Sequence, residues 1–214
     1  QQKLPTEEEL SREFDVSRIT IRRALEILSE EHLIRKKHGK GSFVSPVPVR
    51  RIPLLIDYAR SVRTHAPNIE RRLRLWKWSP APDWVAEELA IGTGELIYYC
   101  ERVDVLGSTP VAYDRAYIVS AFADGLEKED LVRVDFNDTW QERCSFRIVT
   151  CKQIVEAASA DQASARILDT EKAAPVLKGI EIYFTTDGRP AGLFDNFYHP
   201  RYISLVSNFR WSEG

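Results

Sequence analysis

The chain contains no methionine, not even at its first position, and only three cysteines in 214 residues. Cys100, Cys144 and Cys151 form no CxxC pair and leave one thiol over. That excludes a disulfide scaffold and a cysteine-rich zinc module, and suits a reducing cytosol. Its four histidines, His32, His38, His65 and His199, show neither HxxxH nor HExxH spacing, so no helical metal site is expected. No GxSxG turn announces a nucleophile. No run of 18 apolar residues is present and no signal peptide opens the chain. The expectation is a cytoplasmic protein with no cofactor, no metal and no membrane. The missing initiator adds the expectation that the natural protein begins earlier.

A formal net charge of only −2 argues against a wholly basic nucleic-acid coat protein. The average hides an asymmetry. Residues 1–51 hold 11 Lys+Arg against 8 Asp+Glu, and the remainder holds 19 against 24. A slightly basic front and an acidic back imply different partners for the two parts. At 43% hydrophobic and 29% charged, the chain can bury real cores.

The front part reads as two short helices and a hairpin. Thr6-Glu7-Glu8-Glu9 has the spacing of a capping box, and Pro5 stops any upstream helix. Leu10 and Phe14 share a face of the first helix. A break falls at Asp15-Val16. Ser17 caps a second helix that runs to about Glu31, with Ile21, Ala24, Leu25 and Leu28 packing onto Leu10 and Phe14. Leu33 to Lys37, the turn His38-Gly39-Lys40-Gly41 and Ser42 to Val44 then fit two short strands.

The second helix carries more than a packing face. Arg18 and Arg22 stand one turn apart, Thr20 lies near the helix start, and Ile19 falls almost opposite the apolar stripe. In a major groove, Arg bonds guanine edges, Thr reaches bases or phosphates, and Ile touches a thymine methyl. The alternative is a generic helical pair with solvated arginines. The hairpin adds a wing in which Lys36, Lys37, His38 and Lys40 surround Gly39 and Gly41, and the glycines permit close backbone approach.

The stretch "LPTEEELSREFDVSRITIRRALEILSEEHLIRKKHGKGSFV" resembles the winged helix-turn-helix of GntR-family bacterial transcription regulators over its whole length. The resemblance implies DNA contacts at Arg18, Thr20 and Arg22, and at His38, Gly39 and Lys40 of the wing. Ile19 and Lys36 complete the expected DNA set. One departure is Glu8, where the family often has an arginine that contacts DNA. The family also has a helix before Leu4.

The organisation expected is a DNA-binding domain at 1–45, a linker at 46–51 and a second domain at 52–214. Alternating prolines in Ser45-Pro46-Val47-Pro48-Val49 keep the linker extended and limit its flexibility. Strand-like runs occur near 73–78, 96–106, 110–118, 146–155, 176–186, 191–198 and 202–209, and helical patterns near 82–91, 136–143 and 161–169. Gly107-Ser108 and Asp187-Gly188 join paired runs, so the second domain reads as α+β on an antiparallel sheet. A weak repeat relates Leu89 to Leu168 and Ile97 to Val176. A true duplication would give a pseudo-twofold sheet with a cleft between its halves.

"PVAYDRAYI", "IVEA", "DGRP" and "FYHPRYISL", in this order and spacing, make the second domain similar to the UTRA domain of HutC-type GntR regulators. The resemblance implies a chorismate-lyase-like fold, a small-molecule effector between the strands, and homodimerisation. It places Arg102, Asp104, Asp114 and Tyr117 of the first hairpin in the pocket, together with Asp135 at a helix start. Tyr198 of the closing motif is either a pocket or a structural residue. Arg147 joins the set on strand alternation. For Arg102 the alternative is an ion pair with Asp104, Asp114 or Glu181.

Relatives that bind sugar phosphates have Arg-x-Arg where this chain has Arg102-Val103-Asp104, and a Ser where it has Asp135. Two changes toward negative charge make a phosphate dianion costly. The expected effector is a carboxylate, amine-bearing or zwitterionic metabolite rather than a sugar phosphate.

The expected function is a ligand-responsive, homodimeric DNA-binding repressor on a palindromic double-stranded operator, not an enzyme. A ligand-independent DNA-binding module, an enzyme with a lyase-like domain, and an interaction module using the five tryptophans remain the alternatives.

Overall fold

The computed structural model describes residues 3–30, 34–37, 41–44, 50–53, 66 and 68–206. The chain divides into two compact units, Gln1–Val49 and Arg50–Gly214, each described by itself.

In the first unit, α1 (Glu7–Glu13) opens with the full capping box of Thr6 and Glu9. Asp15 adopts a left-handed φ of 50°, a conformation Asp tolerates better than most residues, and this turns the chain toward α2 (Arg18–Glu30). The Ser11 hydroxyl donates to the Val16 carbonyl at 2.6 Å, and the Ser17 hydroxyl accepts from the Thr20 amide at 3.1 Å and so caps α2. Strands β1 (Ile34–Lys37) and β2 (Gly41–Val44) pair antiparallel. Leu4 joins the wing through its amide, which donates to the Ser42 carbonyl at 2.9 Å.

The small core is Ile21, Leu25 and Ile34, with Leu4, Leu10 and Leu28 against it. Two expected members are absent from it. Phe14 is the C-cap of α1 and 62% exposed: its amide closes the last turn on the Leu10 carbonyl at 3.0 Å, but its side chain stays in solvent. Ala24 is also exposed.

The second unit is built on a six-stranded sheet in the order β4-β5-β6-β9-β8-β7. Its strands are β4 (Ile69–Pro80), β5 (Leu96–Leu106), β6 (Thr109–Val119), β7 (Ile148–Ser159), β8 (Pro175–Thr185) and β9 (Pro190–Tyr198). Every pairing within it is antiparallel. Helix α3 (Asp83–Leu89) lies between β4 and β5 in sequence, and α6 (Gln162–Ile167) lies between β7 and β8. Two β-α-β-β units therefore follow one another, and the palindromic strand order is what their duplication produces. The pairing at the sheet centre joins Arg115 to Asp195, equivalent positions of the two units, so the pseudo-twofold runs between β6 and β9.

Between the repeats, residues 120–147 supply α4 (Lys128–Leu131) and α5 (Phe136–Arg143). Trp140 of α5 is fully buried in the largest core, beside Phe136, Tyr183 and Phe194. Gly192 makes this possible: a Cβ there would stand 3.0 Å from both the Trp140 ring and the Tyr117 carbonyl. Arg50 and Arg51, expected in the linker, belong to a short strand β3 (Arg50–Pro53). It pairs in parallel with β10 (Ile203–Val206) of the same unit.

Candidate functional site

The first unit presents the start of α2. Ile19 is 78% exposed, and Arg18, Thr20 and Arg22 are exposed beside it. The Thr20 hydroxyl is bonded to that of Ser17 at 2.8 Å, which fixes its rotamer. Arg22 is held by Glu7 of α1: its Nη2 donates to Oε2 at 3.0 Å and its Nε at 3.3 Å. This bond keeps the Glu7 carboxyl below its ordinary value. Glu8, the acid where the resembled family has a base, is paired with Arg12 one turn along. Its charge is thus offset locally rather than projected alone. Lys36 is exposed on β1. His38, Gly39 and Lys40 lie outside the described residues.

In the second unit, a cavity of about 200 Å³ is floored by the sheet and walled by the start of α5. Side-chain alternation along paired strands decides which residues reach it. Arg102 of β5 is 1% exposed and stands opposite Asp114 of β6. Its Nε and Nη2 donate to the Asp114 carboxylate at 3.0 and 2.7 Å. Phe136 and Phe194 flank the guanidinium at 4.5 and 5.2 Å. Asp104 is gripped by Arg71 of the neighbouring strand β4 at 2.8 and 2.9 Å. Asp135 occupies the N-cap position of α5, where Arg133 donates to it twice at 3.0 Å.

Opposite these, Glu181 of β8 accepts from the Tyr183 hydroxyl at 2.6 Å and from Gln153 at 2.7 Å. Burial pushes its carboxyl up, against those two bonds. Glu181 occupies the position of Arg102 in the second repeat, so the cavity spans the pseudo-twofold with unlike groups on its two sides. Tyr198 closes one side, buried.

Of the residues expected from sequence, Arg102, Asp104, Asp114, Asp135 and Tyr198 line this cavity. Two do not. Tyr117 is an odd number of residues from Asp114 on an unbroken strand, so it faces the other side of the sheet. There it meets Trp84 of α3 and Tyr99 at 5.7 and 5.1 Å. Arg147 lies beyond α5 and lines a second, more open hollow that shares Asp135, Asp138 and Gln141 with the cavity. Sequence reasoning missed Arg71, Asp138, Glu181, Tyr183 and Asn196, all of which line the cavity. The signal for Glu181 was the repeat itself, which aligns it with Arg102. Arg71 could have been found only through its pairing with Asp104 across two strands.

Among the described residues no group of His, Cys, Asp and Glu is arranged to hold a metal ion, and no helix is long and apolar enough to cross a membrane.

The UTRA domain profile matches residues 69–203, and the profile of bacterial regulatory proteins of the gntR family matches residues 1–44. The chain is 29% identical to the "Probable fructoselysine utilization operon transcriptional repressor" of Escherichia coli (strain K12), over 96% of this chain and 84% of that protein. It is also 29% identical to the "HTH-type transcriptional repressor NagR" of Bacillus subtilis (strain 168), over 81% of this chain and 72% of that one. Among solved structures, PhnF from Mycobacterium smegmatis superposes with a TM-score of 0.75 at 19% identity, covering 99% of this chain and 93% of that chain. YydK from Bacillus subtilis gives 0.67 at 24%, covering 98% and 90%. The chain belongs to the gntR family of bacterial regulatory proteins, DNA-binding transcription regulators, and carries the family's UTRA domain.

Proposed function

We propose that this chain is a HutC-type repressor whose affinity for a palindromic operator is set by a small metabolite held in the sheet-floored cavity. It acts in the cytoplasm, as a homodimer and without turning the metabolite over. The observation that carries the reading is the presence, in one chain, of an exposed reader and a buried polar cavity. A hydrophobic Ile19 left in solvent between Arg18, Thr20 and Arg22 is hard to explain by packing and suits a major groove. Burying charged pairs around a cavity is costly for stability, which supports a ligand-binding role for this one.

In this reading residues 1–45 bind DNA, 46–49 connect, and 50–214, which include strand β3, bind effector and dimerise. Arg18, Ile19, Thr20 and Arg22 read bases, while Lys36, His38, Gly39 and Lys40 meet the backbone. Arg102, Asp104, Asp114, Asp135 and Tyr198 hold the effector. The cavity's own ion pairs support an effector other than a sugar phosphate, because both of its arginines are already neutralised. Exposed Leu75, Trp76 and Trp78 on the edge strand β4, with Trp84 nearby in sequence, support a self-association surface. The names of the two relatives above, both repressors, support the sign of regulation.

The test is fluorescence anisotropy on the promoter beside the gene, repeated with a metabolite panel. Cooperative binding to a twofold site that one metabolite weakens supports the reading. Operator binding that no small molecule alters would overturn its effector half. Conversion of a metabolite by the protein would overturn its non-enzymatic half.

A further inference from the structure

This inference rests on the cavity being the effector site and concerns what the site accepts. Arg102 is the one cavity group with a plain deficit. Asp114 takes the edge formed by Nε and Nη2. The two phenylalanine rings cover the guanidinium flanks. Nη1, on the remaining edge, is buried and has no acceptor among the described residues. A buried donor left without an acceptor destabilises the fold, and the unpaired edge of a guanidinium is a planar fork that matches a carboxylate.

The charge balance limits what can fill that fork. The lining contains two arginines, Arg71 and Arg102, against five carboxylates. Both arginines are spent on aspartates within the cavity, and Asp135 is held by Arg133, which is not part of the lining. A ligand that brings only negative charge would leave it uncompensated in a site of low dielectric. Asp135 and Asp138, at the first turn of α5, also stand where a helix start would otherwise welcome an anion.

We infer that the effector is a zwitterionic amino-acid-like metabolite, its single carboxylate on the unpaired Arg102 edge and its ammonium among the carboxylates that outnumber the arginines of the lining. The ligand carries its own counter-charge, which the protein lacks. A bulky polar substituent on the amine fits the more open hollow beyond Asp135 and Asp138, where Arg133 and Arg147 lie.

The test is calorimetric titration of the full chain with four probe sets. These are free α-amino acids and N-alkylated derivatives, the matching amines without carboxylate, the matching acids without amine, and hexose 6-phosphates. Binding confined to the first set is expected. Arg102→Lys, which keeps a cation beside Asp114 but removes the fork, should weaken the bound probe about tenfold or more. Asp138→Asn, at an exposed helix position, should weaken it several-fold and serves if Arg102→Lys does not fold. A hexose phosphate that binds and releases operator would overturn the ligand class and leave the effector cavity standing. Binding of the acid or the amine as tightly as the zwitterion would likewise overturn it. No binding by any set, with operator affinity unaffected throughout, would overturn both.

Discussion

Arg22 offers the sharpest point at which the DNA-reading account can fail. Its Nε and Nη2 are held by Glu7 at 3.0–3.4 Å, which leaves its other edge open toward a base. A bidentate guanine contact discriminates by roughly 5- to 150-fold. Arg22→Ala should therefore lower the ratio of operator to scrambled-site affinity by that factor and relax one base position. Glu7 braces the guanidinium without touching the base, so Glu7→Gln should relax the same position by a smaller factor, roughly 2- to 5-fold. Lys36→Ala supplies the contrast. As a phosphate contact it should weaken all sequences alike and reduce the salt slope by about one. The assay is anisotropy against a set of single-position operator variants at two salt concentrations. If Arg22→Ala leaves the ratio and the base preference unchanged, the groove model of α2 is wrong. If Glu7→Gln sharpens the preference, Glu7 competes with DNA for Arg22 rather than bracing it.

Asp161 caps α6 by accepting from the Ser164 amide at 2.7 Å and also pairs with Arg115. Asp161→Ala should cost about 0.5–2 kcal/mol in a urea melt. Burial would raise its carboxyl, but the Ser164 amide and Arg115 outweigh that and hold it down at about 2. Its contribution is thus full above the usual carboxylate range and lost as pH falls toward 2, so the variant's deficit should shrink on acidification. Gly192→Ala forces a methyl against Trp140 and the Tyr117 carbonyl and should destabilise by about 1–3 kcal/mol, read as a lower thermal midpoint. Glu181 runs the other way, because burial raises its carboxyl. Its favourable part is present below the unfolded value and lost as pH rises through the folded one. Glu181→Gln should gain thermal stability relative to wild type as pH rises above the ordinary carboxylate range, and a gap independent of pH would contradict the assignment.

What was legible in the sequence was local or repeated. The Thr6–Glu9 box and the Ser17 cap each involve residues three apart, so the ends of α1 and α2 could be read directly. The duplication set the strand lengths and the palindromic order of the sheet. Arg102 and Asp114 were legible through the resemblance of their motif, and the hairpin that joins their strands sets them opposite one another. What was hidden depends on distant pairing. Strand β3 sat inside a proline-rich stretch, and its partner β10 is some 150 residues away. The register shift between Leu73 and Leu75 resets the alternation of β4, so Arg71 could not be assigned to the Asp104 face by counting along the strand. Tyr117 was grouped with Asp114 because both belong to one motif. Motif membership ignores the alternation that sends the two to opposite faces.

A cavity that regulates the operator must be coupled to it, and coupling between two binding sites is reciprocal. The most direct measurement is the affinity of a cavity-binding metabolite for the full chain, by calorimetry, with and without saturating operator duplex. Operator should weaken metabolite binding by the same factor by which the metabolite weakens operator binding. Equal metabolite affinity with and without DNA would contradict it.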